Sequence, residues 1–328
     1  MMDFMLPFNL PKASHQINHQ QNILSIGSCF TEHIGNALKD LKFNVLQNPN
    51  GILFDPTSVC SSLLFYIENK EYKEKDLFKL NELWNSWQHH SRFSGTDKID
   101  VLKKINESQA IAHQFLKEAH WLIITLGSSF SYRLVNENLK PVDNCHRAPA
   151  QKFQKYLIPI NSIIDDLNNT LQQLLAFNKK LSVIFTISPV RHIRDGVVDN
   201  NRSKARLIEA VHQTITAFDN ASYFPAYEIV IDVLRDYRFY DIDLVHPNYP
   251  ATEFVLEKFL HAYTSNDTLS LIEGIKKIVV ARKHKSQNPD TEAHKIFLQT
   301  HLQKALQMQK EHPYLDFEKE IAYFTIKH

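Results

Sequence analysis

The chain has 328 residues, of which 22% are charged and 43% are hydrophobic, and its formal net charge is +1. Such a chain can bury a large core, and its balanced charge excludes a general polyanion binder, so no nucleic-acid partner is expected. Its apolar runs are too short to cross a bilayer, which predicts no membrane partner, and residues 1–11 lack the basic start of a signal peptide. Three widely spaced cysteines form no disulfide framework, which predicts a reducing, cytoplasmic location.

Five short, nearly continuous apolar runs are typical of parallel strands that are covered on both faces. They are Ile23–Ile26, Phe43–Leu46, Trp121–Leu126, Ser182–Ile187 and a weaker run at Tyr223–Phe224. Helical patterns lie between and after them, at residues 31–41, 56–68, 99–119, 161–179, 203–218 and 251–263. Alternating strands and helices predict a three-layer α/β/α sandwich with a parallel five-stranded sheet.

Two segments fall outside this alternation. Residues 69–98 show neither the apolar pattern of a helix nor that of a strand. They are interpreted as a long loop excursion within a domain of residues 1–264. Residues 265–328 are predicted to form a helical C-terminal extension, in which a helix begins after Pro289-Asp290-Thr291 and ends near His312-Pro313. Its amphipathic face is expected to pack on the sandwich or on a second subunit, and the latter would make a homo-oligomer; the residues on this face are Leu298, Leu302 and Ala305.

Two short motifs could supply the parts of a nucleophilic site. Ser28 follows the first apolar run directly after Gly27, where a strand would end in a tight turn, and Asp243 precedes His246 by three positions. A hydroxyl needs a base to take its proton, and the base needs a partner that sets its tautomer. Ser28, His246 and Asp243 are therefore the candidate nucleophile, base and orienting carboxylate. Gly127, at a predicted strand end, is a candidate substrate-binding residue.

Each motif also has an ordinary structural explanation. A serine after a strand is commonly a helix N-cap, and an Asp-x-x-His segment is commonly a solvated turn. Cys29 is a rival nucleophile, because a thiol beside a helix N-terminus has a lowered pKa. Adjacent residues point in different directions, so Ser28 and Cys29 cannot both face the base, and Cys29 is otherwise a small buried residue behind the turn.

Several segments in order resemble the GSCFA family, a branch of the SGNH/GDSL hydrolase superfamily, over roughly residues 20–262. The resemblance begins at Gly27-Ser28-Cys29-Phe30 and continues along the chain. The other matching segments are residues 48–53 (NPNGIL), 87–93 (WQHHSRF), 125–127 (TLG), 144–147 (NCHR), 188–192 (SPVRH), 223–230 (YFPAYEIV), and 238–240 (RFY) leading into Asp243 and His246-Pro247.

The resemblance implies Ser28 as nucleophile, His246 as general base and Asp243 as its partner. It also implies oxyanion donors from the Ser28 backbone N–H and from the turn at Gly51. The superfamily has an Asn after its third strand, whereas here Gly127 is followed by two serines. The third donor is therefore open, and Asn144 or His146 from the neighbouring loop is the candidate replacement.

The excursion is rich in aromatic and histidine residues that suit either a site wall or a structural plug. Trp87, His90, Arg92 and His146 are candidate substrate-binding residues, because an aromatic face suits a sugar ring and Arg or His can bind its hydroxyls. The alternative is that Trp87 and its aromatic neighbours pack the excursion onto the core. Arg191, His192 and Arg194 either meet an anionic substrate group or are solvated loop charges.

The most specific interpretation is a serine esterase or acyltransferase that acts on an O-acyl ester of a carbohydrate or other small hydroxyl compound. It needs no cofactor. A non-catalytic binding module on the same fold is the alternative from another class. A metal-dependent hydrolase is the third, but the adjacent pairs His89-His90 and Cys145-His146 lack the spacing of built metal sites, so no metal is expected.

Overall fold

A computed structural model of the protein describes residues 6–325. Its strands are β1 (Asn22–Gly27), β2 (Asn44–Gln47), β3 (Phe78–Leu80), β4 (Leu83–Asn85), β5 (Trp121–Leu126), β6 (Phe130–Leu134), β7 (Lys140–Val142), β8 (Phe153–Leu157), β9 (Ser182–Ile187) and β10 (Ala221–Phe224). Its helices are α1 (Cys29–Asp40), α2 (Pro56–Glu68), α3 (Lys98–Glu118), α4 (Ile160–Phe177), α5 (Gly196–Ile215), α6 (Ala226–Glu228), α7 (Tyr249–Tyr263), α8 (Asn266–Lys283), α9 (Glu292–Glu311) and α10 (Glu318–Thr325). None of these helices is both long and apolar enough to cross a membrane.

The main sheet has the order β2-β1-β5-β9-β10, and all of its pairs are parallel. This confirms the predicted five-stranded parallel sheet. The chain first moves outward from β1 to β2 and then returns to the other side of β1 at β5. The strand order therefore reverses between β1 and β5, and in open α/β sheets ligands bind at such a switch point, beyond the carboxyl ends of the strands.

The sheet is covered on both faces, which explains its uninterrupted apolar strands. Alternate residues of β1 enter different clusters, so that Ile23 belongs to one and Leu24 to the other. Helices α1 and α7 cover the first face, and α2, α3, α4 and α5 cover the second. Helices on both faces of the sheet confirm the predicted α/β/α sandwich. Strands that are buried on both faces do not alternate between apolar and polar residues.

Two small sheets were not predicted. The excursion contains an antiparallel hairpin of β3 and β4, and β7-β6-β8 form a separate antiparallel sheet. Both use strands of three to five residues, which are too short to show a clear alternation. The long-loop interpretation of residues 69–98 is therefore incomplete, since part of the excursion is a hairpin.

The C-terminal helices bury their apolar residues mainly against one another. Leu298 and Ala305 of α9 are buried, and Leu302 is partly buried, in a cluster that contains Ile275 of α8 and Phe317. The face predicted to cover the sandwich or a second subunit is thus largely occupied by α8, α10 and the segment before α10. Helix α9 begins after its N-cap Thr291, as predicted.

A buried carboxylate links this helical extension to the sandwich. Glu320 of α10 is 1% exposed, and its carboxylate forms ion pairs with Lys42 at 2.6 Å and with Arg282 of α8 at 3.0 Å. Lys42 follows α1, so the Glu320 carboxylate joins the two parts of the chain. Two cationic partners balance the cost of removing this carboxylate from water.

Replacing Glu320 with Ala should lower the free energy of unfolding by about 3–5 kcal/mol, because it leaves Lys42 and Arg282 near a buried site without their counter-charge. Chemical denaturation measures this loss. The control is Glu107→Ala, which removes an exposed i,i+4 pair with Lys103 and should cost less than about 1 kcal/mol. Equal stability of the two variants would contradict the importance of the link.

Candidate active site

Ser28 is held at the switch point by the glycine before it. Gly27 ends β1 with φ +139°, and a Cβ added there would lie 2.1 Å from the Thr125 carbonyl oxygen of β5. Only glycine combines this backbone conformation with this close approach. The Gly27 N–H donates to the Asn48 Oδ1 at 2.8 Å, which ties the turn to the end of β2.

The Ser28 hydroxyl is not used for helix capping. Ser28 occupies the N-cap position of α1, yet its side chain makes no capping hydrogen bond. Its Oγ is buried and has no hydrogen-bond partner among the described residues. A buried hydroxyl without a partner is costly, and a helix N-terminus favours negative charge. Both features fit an oxygen that becomes an alkoxide better than one with a structural role.

Gly127 lies directly opposite Ser28, at the end of the neighbouring strand. A Cβ added at Gly127 would come 3.2 Å from the Ser28 Cβ and 3.2 Å from the Phe54 ring. Phe54 also packs edge-on against His192, with ring centroids 5.5 Å apart. These two rings help to line a cleft of about 370 Å³, together with Phe130, Tyr132, Arg191 and Arg194 among others.

Asp243 and His246 form the predicted pair. The His246 Nδ1 lies 2.6 Å from the Asp243 Oδ2, and Asp243 Oδ1 accepts the backbone N–H groups of Val245 and His246 at 2.9 and 3.0 Å. The His246 backbone N–H, then the His246 side chain and then the Val245 N–H lower the pKa of Asp243 to about 2. The carboxylate is therefore ionised at neutral pH and can hold the His246 ring by its Nδ1–H.

The structure forms this half of the triad but not its bond to the nucleophile. His246 and Asp243 are 42% and 46% exposed, whereas the Ser28 hydroxyl is buried and has no hydrogen-bond partner in the described part of the chain. The segment that carries His246 is joined to the chain after β9, where the Arg191 N–H donates to the Val245 carbonyl at 3.3 Å. Catalytic hydrogen bonds can tighten only when substrate binds, so the complete triad stays a prediction.

The two predicted backbone oxyanion donors are engaged in this structure. The Ser28 N–H donates to the Thr125 carbonyl at 3.1 Å, and the Gly51 N–H donates to the Asn48 carbonyl at 2.7 Å. Their oxyanion role stays a prediction, and it requires these bonds to be exchanged. Asn48 was not among the predicted site residues, although it is fully buried and its Nδ2 has no hydrogen-bond partner within residues 6–325. Its position directly after β2, beside β1, was the available signal.

His90 and Arg92 lie against the Asn48–Gly51 turn. The His90 N–H donates to the Asn50 carbonyl at 2.8 Å, and a Cβ added at Gly51 would lie only 2.0 Å from the His90 Cβ. Arg92 donates through its guanidinium to the Asn48 carbonyl. These contacts support the turn next to Ser28, and substrate binding by His90 and Arg92 stays a prediction.

Trp87, Asn144 and His146 belong to a separate cluster. The Trp87 ring stacks on Phe78 at 3.6 Å and is 9% exposed, and its carbonyl accepts the Asn144 N–H at 3.1 Å. Asn144 Oδ1 accepts the His146 N–H at 2.9 Å, and the His146 Nε2 lies 2.7 Å from the Ser86 carbonyl oxygen. Within residues 6–325, no hydrogen bond or ring contact of this cluster reaches Ser28. These contacts agree with the structural-plug alternative.

The prediction that the Cys29 thiol has a lowered pKa is wrong. Burial raises the pKa of the Cys29 thiol, although nearby backbone N–H groups and the Lys204 charge oppose the shift. Desolvation therefore outweighs the helix N-terminus here. Cys29 is half-buried and packs against the core on the α1 face, as the structural alternative predicted.

Lys204 is the main functional candidate that was not singled out in the sequence. It is 1% exposed, and its Nζ donates to the Gly127 and Ser188 carbonyls, both at 2.6 Å. Burial lowers its pKa to about 7. The signal was present, because Lys204 shares a helical stripe with Leu207 and Val211, which are fully buried.

The described residues contain no group of three or more His, Cys, Asp or Glu side chains that could hold a metal ion. The histidine-rich excursion instead uses its rings in packing. His89 is 1% exposed and lies between the Tyr72 and Phe93 rings. Burial lowers the pKa of His89 to about 3, so that it is neutral and compatible with these apolar neighbours.

Trp87→Ala should lower the free energy of unfolding by about 3–5 kcal/mol, because it removes a buried aromatic side chain from the centre of its cluster. Thermal and chemical denaturation measure the loss. Leu83→Ala in the same excursion is the control, because Leu83 is 38% exposed. An unchanged Tm with a raised KM in Trp87→Ala would instead identify Trp87 as part of the substrate site.

Solved structures with a similar arrangement include three carbohydrate esterases. A carbohydrate esterase family 3 from Talaromyces cellulolyticus aligns with a TM-score of 0.35 and 10% identity, covering 78% of this chain and 99% of that one. A family 3 carbohydrate esterase from Clostridium thermocellum gives 0.35 and 9%, covering 78% and 98%. An acetyl-xylooligosaccharide esterase from Geobacillus stearmophilus gives 0.38 and 12%, covering 76% and 97%. Likenesses this distant carry no argument about activity.

The sequence itself matches two family models. No curated protein is detectably similar to the chain. The C-terminal domain of GSCFA domain proteins matches residues 275–327, within the helical extension. The GSCFA family matches residues 22–259, which include β1 with Ser28, the complete main sheet and the Asp243–His246 pair. This match spans well over half of the chain, and the chain therefore belongs to the GSCFA family.

Proposed function

We propose that the protein is a serine esterase or acyltransferase that acts on an O-acyl ester through Ser28, His246 and Asp243. The observation that carries the proposal is the buried, unpartnered Ser28 Oγ at the N-terminus of α1, on the switch point of a parallel sheet. The Asp243–His246 pair at 2.6 Å supplies an oriented imidazole on a neighbouring loop. Together they are the three chemical parts that acyl transfer requires.

The reaction follows from these parts. His246 Nε2 accepts the proton of the Ser28 hydroxyl while Oγ bonds to the acyl carbon, and the carbonyl oxygen becomes an oxyanion. The intermediate then breaks its bond to the alkoxy oxygen, which leaves as the alcohol with the proton from His246. An acceptor hydroxyl, of water or of an alcohol, repeats the steps on the acyl-serine and restores Ser28. Asp243 stays ionised and stabilises the imidazolium.

The cleft lined by Phe54 and His192 suits a carbohydrate or another small hydroxyl compound, and Phe54 connects it to Gly127, whose added Cβ would approach the Ser28 Cβ. Its walls combine the rings of Phe54, Phe130 and Tyr132 with the cations Arg191 and Arg194. Aromatic faces pack against the apolar side of a sugar ring, and guanidinium groups donate to its hydroxyl or carbonyl oxygens. An open, mixed cleft of this kind fits an acylated sugar better than a long acyl chain.

A fluorophosphonate probe tests the nucleophile, because it reacts only with an activated hydroxyl or thiol. Wild-type protein should be labelled on Ser28, and labelling should be lost in Ser28→Ala. His246→Ala and Asp243→Asn should slow labelling by orders of magnitude, since the base is then absent or held in the wrong tautomer. Mass spectrometry of the labelled peptide and gel fluorescence measure these outcomes.

Cys29→Ala is the matched control, because it changes the adjacent residue of the same turn and should keep the label. Label that persists in Ser28→Ala and disappears in Cys29→Ala would transfer the nucleophile role to the thiol. No labelling of folded wild-type protein, together with no turnover of aryl acetates, would favour the non-catalytic binding module. The observation that favours a binding module is that the Ser28 Oγ has no hydrogen-bond partner, His246 included, among the described residues.

A further inference from the structure

We propose that Lys204 is a positioning residue of the reaction, which fixes the strand ends opposite Ser28 and provides a buried positive charge beside the position where the oxyanion develops. This inference rests on the proposed acyl transfer at Ser28. It concerns a residue on α5, a helix that contributes none of the three triad side chains.

The position of Lys204 follows from its two hydrogen bonds. Its Nζ donates at 2.6 Å to the carbonyls of Gly127 and Ser188. These residues follow the parallel neighbours β5 and β9, so the ammonium group lies at the carboxyl edge of the sheet. Gly127 is also the residue whose added Cβ would approach the Ser28 Cβ to 3.2 Å. Lys204 therefore holds the segment that faces the nucleophile.

The charge of Lys204 has no carboxylate partner within the described part of the chain. An ammonium group has three N–H donors, and within residues 6–325 two of them have hydrogen-bond partners. A buried ammonium without a counter-charge is destabilising, whereas methionine has about the same length and avoids this cost. The partly buried Lys42, in contrast, is paired with Glu320. The unpaired charge is therefore explained better by chemistry than by packing.

Three titratable groups from other elements face Lys204. Burial raises the pKa of Cys29 at the start of α1 and lowers the pKa of His192 after β9, and the nearby Lys204 charge acts to lower both. The Tyr227 ring of α6 lies 5.8 Å from the ammonium. None of the three is a carboxylate. A negative charge that forms at Ser28, next to Cys29, is the counter-charge that this arrangement lacks.

The sign of the pH dependence follows from this role. Burial lowers the pKa of Lys204 to about 7, so the ammonium form is present below this pH and is lost above it. Acyl transfer that uses the charge should slow as pH rises through this value. kcat/KM is the appropriate quantity, because it reports the ionisation of the free enzyme.

The experiment measures kcat/KM for an aryl acetate between pH 5 and 10 in wild type, Lys204→Met and Lys204→Arg, with Tm for each protein. Lys204→Met should lose on the order of 10–100-fold in kcat at pH 6 with little change in KM. Its kcat/KM should also lack the decrease at alkaline pH that wild type shows. The arginine in Lys204→Arg keeps its charge from pH 5 to 10, so kcat/KM of this variant should also lack the alkaline decrease. This second variant tests the proposal even if Lys204→Met does not fold.

Arg206→Met is the matched control. Arg206 lies on the same helix and also donates to two backbone carbonyls, those of Leu157 and Ile158. Its loss should lower Tm without moving the pH profile. Lys204→Met that folds and keeps both kcat and the alkaline decrease overturns the proposal, as does Lys204→Arg with an unchanged alkaline decrease. Wild-type protein with neither aryl-acetate turnover nor probe labelling overturns the acyl-transfer function first, and this inference with it.

Discussion

The approach of Gly27 to β5 is the constraint on which the site depends. With only 2.1 Å between an added Cβ and the Thr125 carbonyl oxygen, any other residue would push β1 and β5 apart where the strand order reverses. The close pairing lets the chain turn at once into α1, so that Ser28 lies at the helix N-terminus and beside Gly127. The Asn48 Oδ1 bond to Gly27 adds the β2 end to the same junction. The segments after β1, β2 and β5 thus meet around Gly27 and Ser28, because Gly27 has no side chain.

Buried charge has two different uses in this molecule. Glu320 is surrounded by Lys42 and Arg282, and this balanced group joins the helical extension to the sandwich. Lys204 is as deeply buried but, in the described part of the chain, its hydrogen bonds go to two carbonyl oxygens and to no carboxylate, which leaves its charge available to an anion. A buried charge that is paired with opposite charges can stabilise an interface at modest cost. A buried charge without such a partner instead exerts an electrostatic field on its surroundings. The field of Lys204 lies at the edge of the sheet where the proposed chemistry requires one.

Much of the main sheet could be predicted, because strands such as Trp121–Leu126 are buried on both faces and have no polar period. The strands of residues 78–85 and 130–157 could not, since they are short and depend on contacts between distant segments. Ser28, Asp243 and His246 were predicted as a triad by residue chemistry and order along the chain, and the structure brings Asp243 and His246 together. The position of this exposed pair relative to Ser28 could not be predicted, because it depends on the packing of segments that are distant in the sequence. Lys204 and Asn48 were both overlooked, although a cation on an apolar helical stripe and an amide directly after a predicted strand were visible in the sequence.

The central claim is that the Ser28 oxygen carries the acyl group. Acid quenching of the protein within its first turnovers of an aryl acetate, followed by peptide mass spectrometry, tests this claim most directly. The account predicts an acetyl group on the peptide that begins the α1 helix, with fragmentation that assigns it to Ser28. An acetyl group on Cys29, or steady turnover with no acylated peptide at any time, would contradict it.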